Sequence, residues 1–315
     1  MVDAAGGATL RLPIAPDDDG ERIERLVARA LPGTRAEARA LCERGAVRVD
    51  GQRVRKGDRA RAGATLVIEL DAPRGHAAEP ELALDVRLER ADLVVVAKPA
   101  GMPSAPLTPG ERGTLAGALL ARYPELRGIG HNAREPGLIH RLDTMTSGLL
   151  VAARDAATFA RLAAALRAGE IEKRYLAVVA AAGLPDAGSI DKPLRPDRAR
   201  KGRVAVAEPG AAYQKPSLTR YRVLERGARF ALVELEASPA FRHQIRVHLA
   251  SIGHPIVGDT SYGGEPDARI LPAHALHASY IAWAGDGAPS FAVSAEPPPA
   301  FRALVGGREL SGSES

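Results

Sequence analysis

The sequence predicts an α+β fold, with a small basic module ahead of a larger domain. Three observations lead there. Helical and strand-like patterns mix without a regular strand–helix–strand period, which argues against a doubly wound sheet. A long basic, proline-rich excursion over residues 186–220 interrupts the larger domain. Positive charge is concentrated: residues 21–70 hold 12 Lys and Arg against 7 Asp and Glu, which accounts for the whole net charge of +5. Such asymmetry is the footprint of a polyanion-binding module, the plain alternative being a solvated basic face.

A chain of 315 residues, 45% apolar, is long enough for one large domain or two unequal ones with a sizeable core. The single Cys42 excludes an internal disulfide and a cysteine zinc site. No basic stretch leads into a short apolar region near the start, and no apolar run reaches about 18 residues. The expectation is a cytoplasmic chain with no membrane partner.

The elements follow in order. "TLRLPI" is a possible strand, and "ERIERLVARAL" carries Ile23, Leu26, Val27 and Ala30 at helical spacing. After Pro32-Gly33, Thr34 and Glu37 form a capping box for "RAEARALCER", which Gly45 stops. "AVRVDGQRV" alternates around Asp50-Gly51, a strong hairpin signal, and "ATLVIEL" adds a strand. The expected boundaries are a module over 20–70, a linker over 71–80, a large domain over 81–305 and a frayed tail over 306–315. Within the large domain "DLVVVAKPAGMPSAP" is a buried strand entering a Pro/Gly loop. "TLAGALLARY" and "DAATFARLAAALRAGE" are helices, the second capped by Asp155 and closed by Gly169. "KRYLAVVAA" and "RFALVELEAS" are strands. "RHQIRVHLASIGH" reads as a helix ending at Gly253.

Two charged clusters could carry chemistry. In "GLIHRLDTMTSGLLVAAR" the apolar runs 137–139 and 149–153 look like core strands, and Arg141 and Asp143 lie where they meet. Loops held by rigid strands are common sites of active residues; a buried structural ion pair is the alternative. On the second cluster's helix Arg242 and Arg246 would share a face one turn apart. His243 and His248, about 140° apart around it, would not chelate a metal. Asp259 follows a turn and is expected to cap or pair locally. No HExxH, phosphate-cradling Gly-rich loop or GxSxG elbow is present, which disfavours metal hydrolysis, nucleotide-triphosphate chemistry and serine hydrolysis.

"TRAEARALCERGAVRVDGQRV", followed by "GATLVIEL", resembles the α-L type RNA-binding domain first seen in a ribosomal small-subunit protein. The resemblance implies that Arg35, Arg39, Arg44, Arg53 and Lys56 face phosphate, contacts that supply salt-dependent affinity but little sequence choice. "HRLDTMTSGLLVAAR" resembles the signature of the RluA-type pseudouridine synthases. The likeness continues, in order, through "LVVVAKPAGMP", "EKRYLAVV", "LTRYRVLE", "RHQIRVHLASIGHPIVGDTSYGG" and "LHASYIAW". That family implies a mixed, largely antiparallel sheet and an enzyme that isomerises specific uridines in structured RNA. Large-subunit ribosomal RNA is the expected target, with transfer RNA as the alternative. It also implies no cofactor and no metal. Without coiled-coil heptads, monomer is the default. Three positions depart from the family pattern: Ala97 where Asn is usual, Thr144 where a basic residue is usual, and Ala240-Phe241-Arg242 where Gly-Arg-Thr is common.

Making pseudouridine requires flipping the base out of the stack, breaking its bond to ribose, turning the uracil and rejoining it through carbon. By resemblance Asp143 is the carboxylate that attacks the anomeric carbon or removes a ribose proton, two routes that stay open. Arg246 keeps it ionised, and Tyr175 stacks on the uracil, worth on the order of 1–3 kcal/mol. Arg141 fills the gap left by the flipped nucleotide or holds phosphate. Lys173 and Arg242 contact RNA, as does His140, which is also read as a local hydrogen-bonding residue. The rival readings are a catalytically inactive RNA-binding or ribosome-assembly protein and a nucleoside-cleaving enzyme, which would need a second facing carboxylate.

Overall fold

The computed structural model describes residues 8–31, 35–43, 45–55, 57–70, 77–107, 111–197, 199–200, 202–208, 210–211, 213–237, 240–285 and 290–306. Thr34, Arg44, Lys56, most of the expected linker and the tail beyond 306 lie outside these residues, as does the side chain of Arg35. The chain divides into two units, one reaching Ala77 and including Asn132–Arg134, the other formed by the rest.

In the first unit, β1 (Ala8–Pro13) precedes α1 (Ile23–Ala30), α2 (Arg35–Glu43), β2 (Val47–Val49), β3 (Gln52–Arg53) and β4 (Thr65–Leu70). The i, i+3, i+4 spacing of Ile23, Leu26 and Val27 buries all three. They join Ala38, Cys42, Val47, Leu66 and Ile68 in one core. Asp50 and Gly51 both take positive φ, the backbone a two-residue hairpin demands, so β2 and β3 pair antiparallel. The sheet order is β1-β4-β2-β3. It draws in β1, ahead of the expected start at residue 20, because β1 pairs with the otherwise open edge of β4.

The second unit holds β5 (Asp85–Glu89), β6 (Leu93–Lys98), α3 (Leu115–Arg122), β7 (Ser147–Ala153), α4 (Ala156–Ala168) and β8 (Ile171–Ala180). There follow β9 (Ala187–Asp191), β10 (Leu194–Pro196), β11 (Val204–Val206), β12 (Leu218–Arg226) and β13 (Phe230–Glu236). It ends with α5 (Gln244–Ser251), β14 (Leu276–Trp283), β15 (Phe291–Ser294) and α6 (Ala300–Gly306). The main sheet runs β5-β6-β7-β14-β8-β13-β12-β9, with β15 on β14. Its described pairings are antiparallel except β7 with β14. Both faces are covered: Leu150 and Ala152 pack with α3, α5 and α6, while Leu149 and Val151 pack with α4. A strand buried on both sides reads as a continuous apolar run rather than an alternating one.

Four expectations change. Residues 137–139 form no strand; Leu138 makes a single bridge to Ala152, and Ile139 N–H donates to Val151. The excursion over 186–220 carries β9 and a separate β10–β11 ribbon. Glu79, placed in the linker, is buried and accepts from Gly113 and Thr114 backbone N–H groups. Gly306, placed in the tail, ends α6.

Candidate active site

The loop 140–146 leads into β7, and two buried groups hold it in place. The Lys98 ammonium, at the end of β6, donates to the carbonyls of Pro99, Met102 and Thr144 at 2.9, 2.7 and 3.1 Å. Ser104 hydrogen-bonds both the carbonyl and the N–H of Leu142. The Thr144 contact is made by its backbone carbonyl, so it does not depend on the side chain at this position. Burial draws Lys98 down to about 7 against the pull of Asp143.

Asp143 emerges from this loop into a cleft of about 660 Å³ that it shares with Arg141, Tyr175, Lys173, Arg242 and Arg246. That volume lies within the range of pockets that enclose a small ligand. Arg246 Nη1 donates to Asp143 Oδ2 at 2.8 Å. The opposite edge of the guanidinium grips Asp259, Nε to Oδ2 at 2.7 Å and Nη2 to Oδ1 at 2.8 Å. Its face lies 5.0 Å from the Tyr262 ring centroid. Burial by itself would lower the Arg246 pKa, but the Asp259 hydrogen bond and both carboxylates raise it above the ordinary arginine value. The guanidinium is thus a fixed cation with three of its sides committed, and Asp143 is the carboxylate that faces open space.

The expected site residues fall into place unevenly. Tyr175, on β8, lines the cleft, and burial followed by the charge of Asp143 raises its phenol well above the usual range, keeping it neutral. Arg141 is exposed at the rim and pairs with Glu135 at 2.8 Å, so it forms no ion pair with Asp143. His140 accepts from Val151 N–H at 3.4 Å; burial, with Lys173 adding, lowers it to about 3. It is half-buried, lines the cleft and is neutral. Arg242 lies outside α5, because His243 adopts a left-handed φ of 57° and caps that helix. Arg242 and Arg246 therefore share no helix face, and Arg242 Nη2 donates to the Gly202 carbonyl instead. In the first unit, Arg39 and Arg53 are exposed.

Three residues of the site escaped the sequence reading. Asp259 is buried and neither caps nor pairs locally; it anchors Arg246 from 13 residues away. His243 Nε2 stands 3.6 Å from Asp143 Oδ1, and its Nδ1 is 2.8 Å from the Tyr262 hydroxyl. Asp259, Tyr262 and His243 all lie in the quoted stretch "RHQIRVHLASIGHPIVGDTSYGG", the signal that could have found them. Among the described residues no three His, Cys, Asp or Glu side chains converge as a metal site.

Residues 92–251 match the family described as RNA pseudouridylate synthase, and residues 21–66 match the S4 domain. The chain is 39% identical to an uncharacterized RNA pseudouridine synthase of Chloroflexus aurantiacus, covering 85% of this chain and 83% of that one. It is 32% identical to the ribosomal large subunit pseudouridine synthase D of Pseudomonas aeruginosa, covering 83% of each. Among solved structures it resembles human RNA pseudouridylate synthase domain containing 1, with a TM-score of 0.56 and 26% identity over 69% of this chain and 84% of that one.

Proposed function

The chain belongs to the RNA pseudouridylate synthase family and is an RNA pseudouridine synthase; from that premise we propose that it acts on large-subunit ribosomal RNA, with Asp143 as the reacting carboxylate. The single observation carrying the site assignment is the 2.8 Å contact between Arg246 and Asp143 inside the cleft that also holds Tyr175. Either chemical route, attack on the anomeric carbon or removal of a ribose proton, needs a carboxylate oxygen held toward the sugar, and the Arg246 contact fixes Asp143 in the cleft for that. Tyr175 offers its ring face to the flipped uracil. Arg141, Lys173 and Arg242 line the same cleft, within reach of the extruded nucleotide. Arg39 and Arg53 of the S4-like unit supply phosphate contacts of low sequence choice. Isomerisation conserves atoms and oxidation state, so the reading needs no cofactor or metal, and it takes the enzyme as a cytoplasmic monomer.

The ribosomal target is supported by the names of the relatives in Pseudomonas aeruginosa and Yersinia pestis, both ribosomal large subunit pseudouridine synthase D. The test is tritium release from RNA labelled at uracil C5. Asp143→Asn should abolish release while RNA affinity stays within a few-fold; normal turnover by this variant would overturn the site assignment. Mapping pseudouridines in cells with and without the protein should show the loss of a site in large-subunit ribosomal RNA, and a loss confined to transfer RNA would overturn the target.

A further inference from the structure

One wall of the cleft holds a cation with no counter-ion among the described residues. Lys173 precedes Tyr175 by two residues on β8 and projects from the same face, about 7 Å along the strand. It lines the cleft and is only 7% exposed. Among the described residues it has no hydrogen-bond or ion-pair partner, and no acidic group offsets its burial. Lys98, also buried, is caged by three carbonyls instead. His140, which feels the Lys173 charge, is neutral. Buried charges are ordinarily paired, because desolvation without compensation is costly. A cation left open in a reaction cleft is preorganised for negative charge that arises there.

The reaction generates such a charge by either route. When the C1′–N1 bond breaks, its electron pair stays with the ring, so the freed base is an anion with charge spread over N1 and its two carbonyl oxygens. After the ring turns, it forms the C5–C1′ bond; the C5 proton is then lost to solvent and N1 takes up a proton, so the product is neutral. We propose that Lys173 is the counter-ion of the departing uracil, donating to a ring oxygen while the anion turns against Tyr175. The proposal rests on the reading of Asp143 and Tyr175 given above. Before bond cleavage the uracil is neutral and gains little from the ammonium, so the contact favours the transition state over the bound substrate.

The experiment uses the full chain and total RNA, tritiated at uracil C5, from cells lacking this protein. Lys173→Met keeps the length and burial of the side chain and removes the charge. It should lower the saturating single-turnover rate about 10²–10³-fold. Affinity for RNA should stay within about 3-fold and its salt dependence should not change. Lys173→Arg should recover at least about 10-fold of the loss. The Met variant should also unfold no more readily than the parent, since it removes an unpaired buried charge. A full saturating rate together with weakened binding and a salt slope reduced by about 0.7 would make Lys173 a phosphate contact and overturn the proposal. A full rate with unchanged binding, or a slow Met variant that has also lost its fold, would overturn it equally. Inactive parent protein would remove this proposal and the reading beneath it together; an active parent with an unimpaired Met variant removes this one alone.

Discussion

At the scale of single residues, the site turns on how Arg246 is shared between two carboxylates. Asp259 is 2% exposed and takes two guanidinium hydrogen bonds, so it fixes the plane of Arg246 and leaves one nitrogen aimed at Asp143. Asp259→Ala strips a buried cation of its main partner. It should destabilise the fold by about 3–5 kcal/mol, read by urea unfolding, and cut tritium release about 10²-fold or more. Asp259→Asn should also lose stability, though less than alanine, and should lose the rate, because its one carbonyl oxygen can accept from only one guanidinium nitrogen while its NH2 opposes the other. Parent-level activity in both variants would show that Arg246 needs no anchor. Asp143, Tyr175 and Arg246 were legible in the sequence because they stand inside quoted motifs. Asp259 was not, since a lone acid after a turn looks like a local cap.

At the scale of elements, the seam between β7 and β14 decides whether the loop bearing Asp143 is delivered correctly. The strands run parallel there over only two residue pairs, Ser147 with His277 and Gly148 with Ala278. Gly148 has φ +115°, and a Cβ at that position would meet the Ala278 carbonyl oxygen at 2.3 Å. Gly148→Ala should therefore cost at least about 2 kcal/mol in denaturant unfolding and misplace the loop. Side chains reinforce the seam: Thr146 hydrogen-bonds His274, and Ser147 hydrogen-bonds His277, each at 2.8 Å. Burial draws both imidazoles down to about 4 from an ordinary 6.5. Between those values the folded state binds fewer protons than the unfolded chain, so the stability they contribute is complete above about pH 6.5 and is lost as pH falls toward 4. Urea unfolding at pH 5 should show a loss on the order of 1–2 kcal/mol per histidine relative to pH 7. No change in midpoint would mean that the imidazoles are not held neutral. The start of α5 shows where element-level reading stops: a helical pattern ran through Arg242, yet His243 takes a left-handed backbone that few non-glycine residues adopt, and the helix begins after it.

At the scale of the whole molecule, charge is divided between functions. The S4-matching region carries the excess of positive residues, while the cleft uses its cations singly and in fixed places. Replacing Arg39 and Arg53 with alanine together should weaken RNA binding with a flatter salt dependence, the slope falling by about 0.7–0.9 for each phosphate that is no longer neutralised. The saturating isomerisation rate should be unaffected. An unchanged slope would remove these arginines from the RNA interface.

The amino-acid sequence determined what local physics encodes. The Asp50-Gly51 hairpin, the spacing of Ile23, Leu26 and Val27, the caps of α4 and the doubly buried run 149–153 each follow from backbone preference or burial on a near face. The motif residues Asp143, Tyr175 and Arg246 were likewise readable without coordinates. Only the tertiary structure decided that Arg246 spans Asp143 and Asp259, that Arg242 leaves its helix and that Lys173 stands unpaired among the described residues. Pairing between side chains 103 residues apart depends on how strands and helices pack, and no periodicity along the chain records it.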